Sequence, residues 1–274
     1  MEPRTLDLEP VPSLDRYVEA GGGRGLEAAT RLGPTAVVDD VEASGLRGRG
    51  GAGFPTGTKW RSVRDNLPPG TPATVVVNAA EGEPGSFKDR LILRRNPYRV
   101  LEGALIAAVA AGSPRVTVAM KGTFTTELAR VRAAIAEADE RGWTKGVEVS
   151  VVEGPSEYLY GEETALLEVL AGRHPFPRIS PPFRRGLDEG GEGGGTRSAA
   201  GVDLAGPGTT EAAPTLVNNV ETMANVAAIL AEGPDWFRSV GTEQSPGTIV
   251  CTVSGRTRRA GVVELPMGTP LGEV

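Results

Sequence analysis

Residues 44–60 read SGLRGRGGAGFPTGTKW, a stretch with six glycines and the cations Arg47, Arg49 and Lys59. Glycine N–H groups with no side chain in the way can converge on a phosphate, and positive charge nearby strengthens the attraction. The segment GRGGAG, residues 48–53, also satisfies G-x-G-x-x-G. That spacing marks a dinucleotide site only when a strand runs into it and a helix runs out. Helical spacing precedes it here and Pro55 follows almost at once. Neither flank is therefore expected, and a flexible surface loop stays an open reading. TGTK at 56–59 lacks the adjacent glycine–lysine of a nucleoside-triphosphate loop, which sets that chemistry aside.

Carboxylates form a second group. NAAEGEPGSFKDR, residues 78–90, places Glu81 and Glu83 just after an apolar run that reads as a strand. Carboxylates at a strand's carboxyl end accept hydrogen bonds from ribose hydroxyls and repel a 2′-phosphate, a preference for NADH over NADPH. Taken alone, the same residues suit somewhat better a solvated turn ahead of a helix beginning at Lys88 and Asp89. In YLYGEETALLEVLAG, residues 158–172, Glu162 and Glu163 fall in the first turn of a helix, where acidic side chains are ordinary partners of the helix dipole. In TLVNNVET, residues 215–222, Asn218 and Glu221 have the spacing of a helix cap. Cys251 reads as a small core residue and His174 as a loop residue.

These groups need elements to hold them. Residues 25–43 carry helical spacing, and the glycine-rich stretch then interrupts regular structure until about Trp60. Residues 73–77 are a short, continuous β-branched run, the pattern of a fully buried strand. A helix over 96–112 closed by Gly112, a strand over 114–121, a helix over 125–142 and a strand over 147–154 follow. Such alternation predicts an α/β fold, Rossmann-like, with a mainly parallel sheet, helices on both faces and ligands at the carboxyl ends of the strands. Residues 184–213 are nearly a third glycine and read as a flexible insertion. After a helix within 217–233, residues 245–274 change to two strand-like runs flanking a turn, too short to close a core. The expected organisation is an α/β domain over 1–240 and an incomplete module over 245–274.

Composition narrows the chemistry. With 274 residues, 39% of them hydrophobic, the chain can bury a substantial core. One cysteine and one histidine can build neither a disulfide framework nor a cysteine- or histidine-ligated metal site, so no metal is expected in these residues. A net charge of −6 argues against nucleic-acid binding. No apolar run reaches the roughly 18 residues of a membrane span and the N-terminus lacks a secretory pattern, so a cytoplasmic protein is expected, at most peripheral to a membrane through a complex.

The four motifs in this order, with PPF at 181–183, resemble the NADH-binding flavoprotein subunit of respiratory complex I, over nearly the whole chain. Diaphorase subunits of NAD-linked hydrogenases and formate dehydrogenases share that family. The resemblance implies bound FMN, which takes hydride from NADH and passes electrons singly to iron–sulfur clusters in partner subunits. It also implies roles for particular residues. Gly48, Arg49, Gly50 and Gly51 form the loop on which the dinucleotide lies, with Phe54 and Phe183 stacking on adenine. Lys59 contacts the flavin phosphate. Asn78, Gly161, Glu162, Asn218 and Asn219 hold FMN, joined by Tyr158, Val217 and Thr222. Glu81, Glu83 and Glu163 face NADH, and Glu81 and Glu83 stand nearest the hydride transfer, which needs stacked rings about 3–3.5 Å apart rather than acid–base groups.

Departures from the family pattern suggest a divergent paralogue. Ala80 stands where an aspartate bonds to the flavin, removing an acceptor worth about 0.5–1.5 kcal/mol. Ser62 takes the place of a second adenine-stacking aromatic, Tyr160 that of a cysteine, and the insertion is long. The end of the chain resembles the opening of a β-grasp module, which in the family precedes a helical domain with a C-x-x-C-x-x-C motif. The chain thus reads as an N-terminal fragment, with the 4Fe-4S cluster expected only in the missing part. The competing expectation is a degenerate relative that binds a nucleotide or only scaffolds a complex.

Overall fold

A computed structural model describes residues 3–182, 185–187 and 213–274. In chain order the elements are α1 (Leu14–Glu19), α2 (Arg24–Leu32), α3 (Pro34–Ala43), α4 (Thr56–Asp65), β1 (Thr74–Ala79), α5 (Lys88–Arg95), α6 (Pro97–Ala111) and β2 (Arg115–Lys121). There follow α7 (Thr125–Glu140), β3 (Glu148–Gly154), α8 (Glu163–Leu170), β4 (Thr215–Asn219), α9 (Val220–Glu232), α10 (Pro234–Arg238), β5 (Thr248–Val253) and β6 (Gly261–Pro266). Strands β3-β2-β1-β4 form a parallel sheet in that order, and β5 and β6 form a separate antiparallel pair.

The period-two alternation of a strand explains how one apolar run serves two layers. Val75 and Val77 of β1 pack into the larger core with Met120 of β2, Leu216 of β4 and residues of α6 and α9 such as Ala104, Ala107 and Met223. Val76, Ala119 and Val217 point the other way, against Tyr160 and against Leu166 and Leu167 of α8. Helices therefore cover both faces, as the run of β-branched residues without polar alternation requires. Helix α6 closes at Gly112, which takes the left-handed conformation (φ 62°).

Three local expectations are corrected. The helical spacing of 25–43 is two helices, broken at Gly33 with Pro34 opening the second. Regular structure resumes at Thr56, not Trp60, because Pro55 stands at the N-cap of α4 and proline is tolerated at a helix entrance. The glycine-rich loop thus has a helix after it but α3, not a strand, before it. Residues 215–219 are the strand β4, since an apolar run this short cannot be told from the start of a helix by periodicity. Accordingly Asn219, not Asn218, caps α9, its side chain accepting from the Glu221 N–H.

Of the range 184–213, only residues 185–187 and 213 are described, so the expected insertion lies outside the described residues, as does Phe183. Among the described residues no helix is long and apolar enough to cross a membrane, and no cluster of three or more His, Cys, Asp or Glu side chains could hold a metal.

Candidate functional site

Strand order sets the location of the site. From β1 the chain steps outward to β2 and β3, then returns to β4 on the opposite flank of β1. The order in which strands are added reverses between β1 and β4, all four remaining parallel, and a crevice opens beyond their carboxyl ends. Asn78 and Asn219, register partners at those ends, both line a cleft of about 590 Å³. That volume lies within the roughly 300–1,000 Å³ range of small-molecule sites.

The glycine-rich loop forms one wall, through Gly48, Arg49, Gly50, Gly51 and Gly53. Its base is closed by Gly48 N–H to the Phe54 carbonyl (2.8 Å) and Thr56 N–H to the Leu46 carbonyl (2.9 Å). Its middle is pinned by the Arg49 N–H, which donates to Thr222 Oγ1 (2.9 Å). Beyond that pin, the N–H groups of Gly50, Gly51, Ala52 and Gly53 donate to no described group. A Cβ built on Gly50 would lie 3.3 Å from Asn219 Cβ, so glycine leaves this face of the cleft open. Trp60 anchors the helix that follows, donating from its indole to Asn218 Oδ1 (2.8 Å).

The expected cations do different work. Arg49 is buried, and its guanidinium runs away from the loop to the carbonyls of Thr248 (3.1 Å), Pro246 (3.3 Å) and Arg47 (3.2 Å). It ties the loop to β5, its guanidinium N–H groups being engaged by carbonyls. Lys59 forms an ion pair with Glu163, bridging α4 and α8.

The opposite wall comes from the loop after β1 and the 3-10 turn Tyr158–Gly161. Asn78 Nδ2 donates to the Gly161 carbonyl (2.8 Å), joining the two. Glu162 is the N-cap of α8: one carboxylate oxygen accepts from Thr164 N–H (2.9 Å), Thr164 Oγ1 (2.6 Å) and Ala165 N–H (2.8 Å). Its other oxygen has no partner among the described residues.

Glu81 lines the cleft but is engaged from behind. It accepts from Ser86 Oγ (2.7 Å), Arg90 Nε (3.0 Å) and the N–H groups of Asp89 (3.2 Å) and Arg90 (3.3 Å), so it caps α5. Burial pushes its carboxyl up, but those hydrogen bonds outweigh it and hold the pKa below the usual glutamate value. A helix does begin at Lys88 after an exposed turn, as the sequence allows, with Glu81 capping it, and Glu83 is the glutamate left facing solvent, with Tyr158 Oη donating to it (2.6 Å). We expect Glu81→Ala to cost about 2 kcal/mol. Because the folded pKa is depressed, that stabilisation is present above the unfolded glutamate pKa of about 4.3 and lost as pH falls through the folded value. Thermal melts of wild type and variant should converge in acid, and a constant gap would contradict this assignment.

Behind the cleft lies a buried charge cluster that sequence reading did not find. Lys88 Nζ donates to Asp89 Oδ1 (2.7 Å) and Asn219 Oδ1 (3.2 Å) and lies 2.9 Å from Glu221 Oε2. Asn219 Nδ2 in turn donates to Asp89 Oδ2 (2.6 Å), and Glu221 Oε1 accepts from the Val250 N–H of β5 (2.8 Å). Burial raises the carboxyl pKa values of both Asp89 and Glu221, against the lowering pull of Lys88. Lys88 and Asp89 sit on the cleft wall, as do Ile249 of β5, Met267 just after β6, and Ala80, Gly82, Ser86 and Leu159. The only sequence signal was KDR itself, and nothing in its spacing announces a buried triad.

Remaining expected residues stand off the wall. Val217 and Thr222 are buried beneath it, Asn218 is occupied by Trp60, and Phe54 is exposed at the loop tip. The departures also have local consequences. Ala80 is fully buried on the cleft floor, and Ser62 Oγ returns to the Thr58 carbonyl (2.9 Å). Tyr160 packs its ring over Gly154, where any Cβ would strike it, and its buried hydroxyl has no partner among the described residues. Burial raises that phenol's pKa. An unsatisfied buried hydroxyl costs about 1–3 kcal/mol, so Tyr160→Phe should leave stability unchanged or raise it by about 1 kcal/mol. A lower melting temperature would mean that the hydroxyl has a partner in solution.

A parallel, doubly wound sheet with a ligand-sized cleft at its switch point, walled by a loop of unengaged N–H groups, is the architecture of a nucleotide-binding α/β protein. The chain belongs to the Complex1_51K family, the Nuo51 FMN-binding domain, whose family model matches residues 41–228. It is 39% identical over 280 residues to the NADH-quinone oxidoreductase F 2 subunit of Rhizobium meliloti, covering 99% of this chain and 61% of the relative. To the NADH-quinone oxidoreductase F subunit of Aquifex aeolicus it is 38% identical, covering 96% and 58%. A crystal structure of NAD+-reducing NiFe-hydrogenase in the H2-reduced state superposes with a TM-score of 0.78 at 34% identity, covering 97% of this chain and 42% of that one. The chain spans roughly three-fifths of the length of these curated relatives.

Proposed function

We propose that this chain binds FMN and NADH and is the electron-input part of an oxidoreductase, the NADH dehydrogenase subunit of a complex I-like or NAD-linked hydrogenase assembly. What carries the reading is the convergence of the free N–H groups of Gly50 to Gly53 with Asn78, Asn219 and Glu162 on one cleft at the switch point. Such a donor set suits FMN, a phosphate ester with a polar-edged ring: N–H groups for the phosphate, carboxamides and carbonyls for the ring edge. When bound, FMN supplies the conversion between two-electron hydride chemistry and single-electron transfer.

The chain's own residues bind and orient. Gly50 to Gly53 and Asn219 would take FMN on the β4 side. Glu83, held by Tyr158, would meet a ribose and disfavour a 2′-phosphate, while Glu81 keeps the loop in place. Phe54 is placed at the mouth for a base to stack upon. Lys59 and Glu163, paired with each other here, are the groups that would turn to flavin phosphate and nicotinamide nucleotide. Residues 1–240 would form this unit and 245–274 the opening of a β-grasp module. Partners with iron–sulfur clusters would carry electrons onward, and the identity of those partners would set the final acceptor, quinone or other.

Purification with excess FMN tests the reading. A stoichiometric flavin absorbance, bleached by NADH without oxygen and far less by NADPH, is expected. A colourless chain, or flavin that NADH leaves oxidised, would rule it out.

A further inference from the structure

Lys121 ends β2 and is only 7% exposed, yet among the described residues its ammonium has a single hydrogen-bond partner, the Ser156 carbonyl at 3.2 Å. No carboxylate lies within ion-pair distance of it among the described residues. Burying an ammonium so poorly compensated is costly, because two of its three donors and its full charge go unanswered. Burial and the nearby Arg90 guanidinium lower its pKa against the weaker pull of Glu157 and Glu81, the behaviour of a cation short of counter-charge.

Lys121 does not itself line the cleft, but Gly82 next to its ammonium does. A Cβ built on Gly82 would stand 3.5 Å from Lys121 Nζ and 3.2 Å from the Tyr158 carbonyl oxygen. With no side chain at Gly82, only the backbone of that cleft-lining residue stands beside the buried ammonium, and that gap is the window. The window opens over the β1–β2 flank, beside Glu83 and Tyr158, whereas the glycine-rich loop and Asn219 stand on the β4 flank. If the β4 flank holds the flavin, the second ligand occupies the side on which Lys121 waits.

We propose that Lys121 is a binding residue for the dinucleotide, its ammonium meeting an anionic oxygen of the diphosphate through the gap at Gly82. This rests on the NADH- and FMN-binding reading above and adds a positive charge to a flank where the carboxylates Glu81 and Glu83 line the cleft. Phosphate brings the counter-charge that the fold withholds, so the pairing is made only when ligand is present.

The test uses the full chain loaded with FMN, comparing wild type, Lys121→Met and Lys121→Arg with NADH and with ADP-ribose, which keeps the diphosphate and lacks nicotinamide. We expect Lys121→Met to melt no lower than wild type and to hold FMN with unchanged affinity. Its Kd for both dinucleotide-type ligands should rise about tenfold and depend less on salt. Lys121→Arg should recover most of the loss. Unchanged ADP-ribose affinity in Lys121→Met overturns the proposal, as does a parallel fall in FMN affinity and melting temperature. Should the wild-type chain hold no FMN, the general reading fails, and ADP-ribose titration of the flavin-free wild type and Lys121→Met still decides the role of Lys121. No ADP-ribose binding to that chain would sink both.

Discussion

Replacing Lys88 with methionine is expected to destabilise the fold by about 3–5 kcal/mol, enough to lower the melting temperature of a chain this size by roughly ten degrees. The reason is what it leaves behind. Asp89 and Glu221 are 3% and 0% exposed, and Lys88 is the cation between them, with Arg49 no nearer than 3.9 Å to Glu221. Without it, two carboxylates face each other out of water. Their pKa values, already raised by burial, must rise further, since the lowering pull of Lys88 is gone. A carboxyl with a raised folded pKa is fully compatible with the fold below its unfolded pKa and costs stability as pH climbs through the folded value. The deficit of Lys88→Met should therefore shrink in acid and widen toward neutral pH, and adding Glu221→Gln should restore part of it. A variant that melts like wild type at neutral pH would show that the cluster is not a buried charge network. Because Val250 of β5 donates to Glu221, the same variant should loosen the C-terminal strand pair, readable as faster amide exchange at Val250.

The second large effect concerns binding alone. Gly50→Val places a branched side chain between the free N–H groups of the loop and Asn219, where even one carbon would stand 3.3 Å from Asn219 Cβ. Gly50 does not use a left-handed backbone, so valine is not excluded by conformation. Residue 50 is also exposed, so no core packing is lost. Stability should hold within about 1 kcal/mol, while FMN affinity falls about 100-fold or more, close to 3 kcal/mol. Flavin retained through gel filtration and a fluorescence titration would measure it. Undiminished affinity would place the flavin somewhere other than against this loop.

The class of the fold and several residues that line the cleft, such as Gly48 to Gly51, Asn78, Glu81 and Asn219, could be read from sequence because their signals are local. A run such as residues 74–77 reads as a buried strand because it is short, continuous and β-branched, and side chains on both faces of a covered sheet must be apolar. Glycines in a charged loop and glutamates after a strand are likewise chemical facts before any folding. Tertiary structure decided which of those groups are free. Arg49 and Lys59 look alike in sequence, yet one clamps carbonyls of the C-terminal strand region and the other meets Glu163 more than a hundred residues away. Glu81 and Glu83 are two residues apart, and only packing against Arg90 and the α5 N-terminus separates the structural glutamate from the one left facing solvent. The Lys88–Asp89–Glu221 cluster and the window at Gly82 could not be foreseen at all. Hydrogen bonds and ion pairs act over a few ångströms, and the distances that matter here join residues that the chain itself holds far apart.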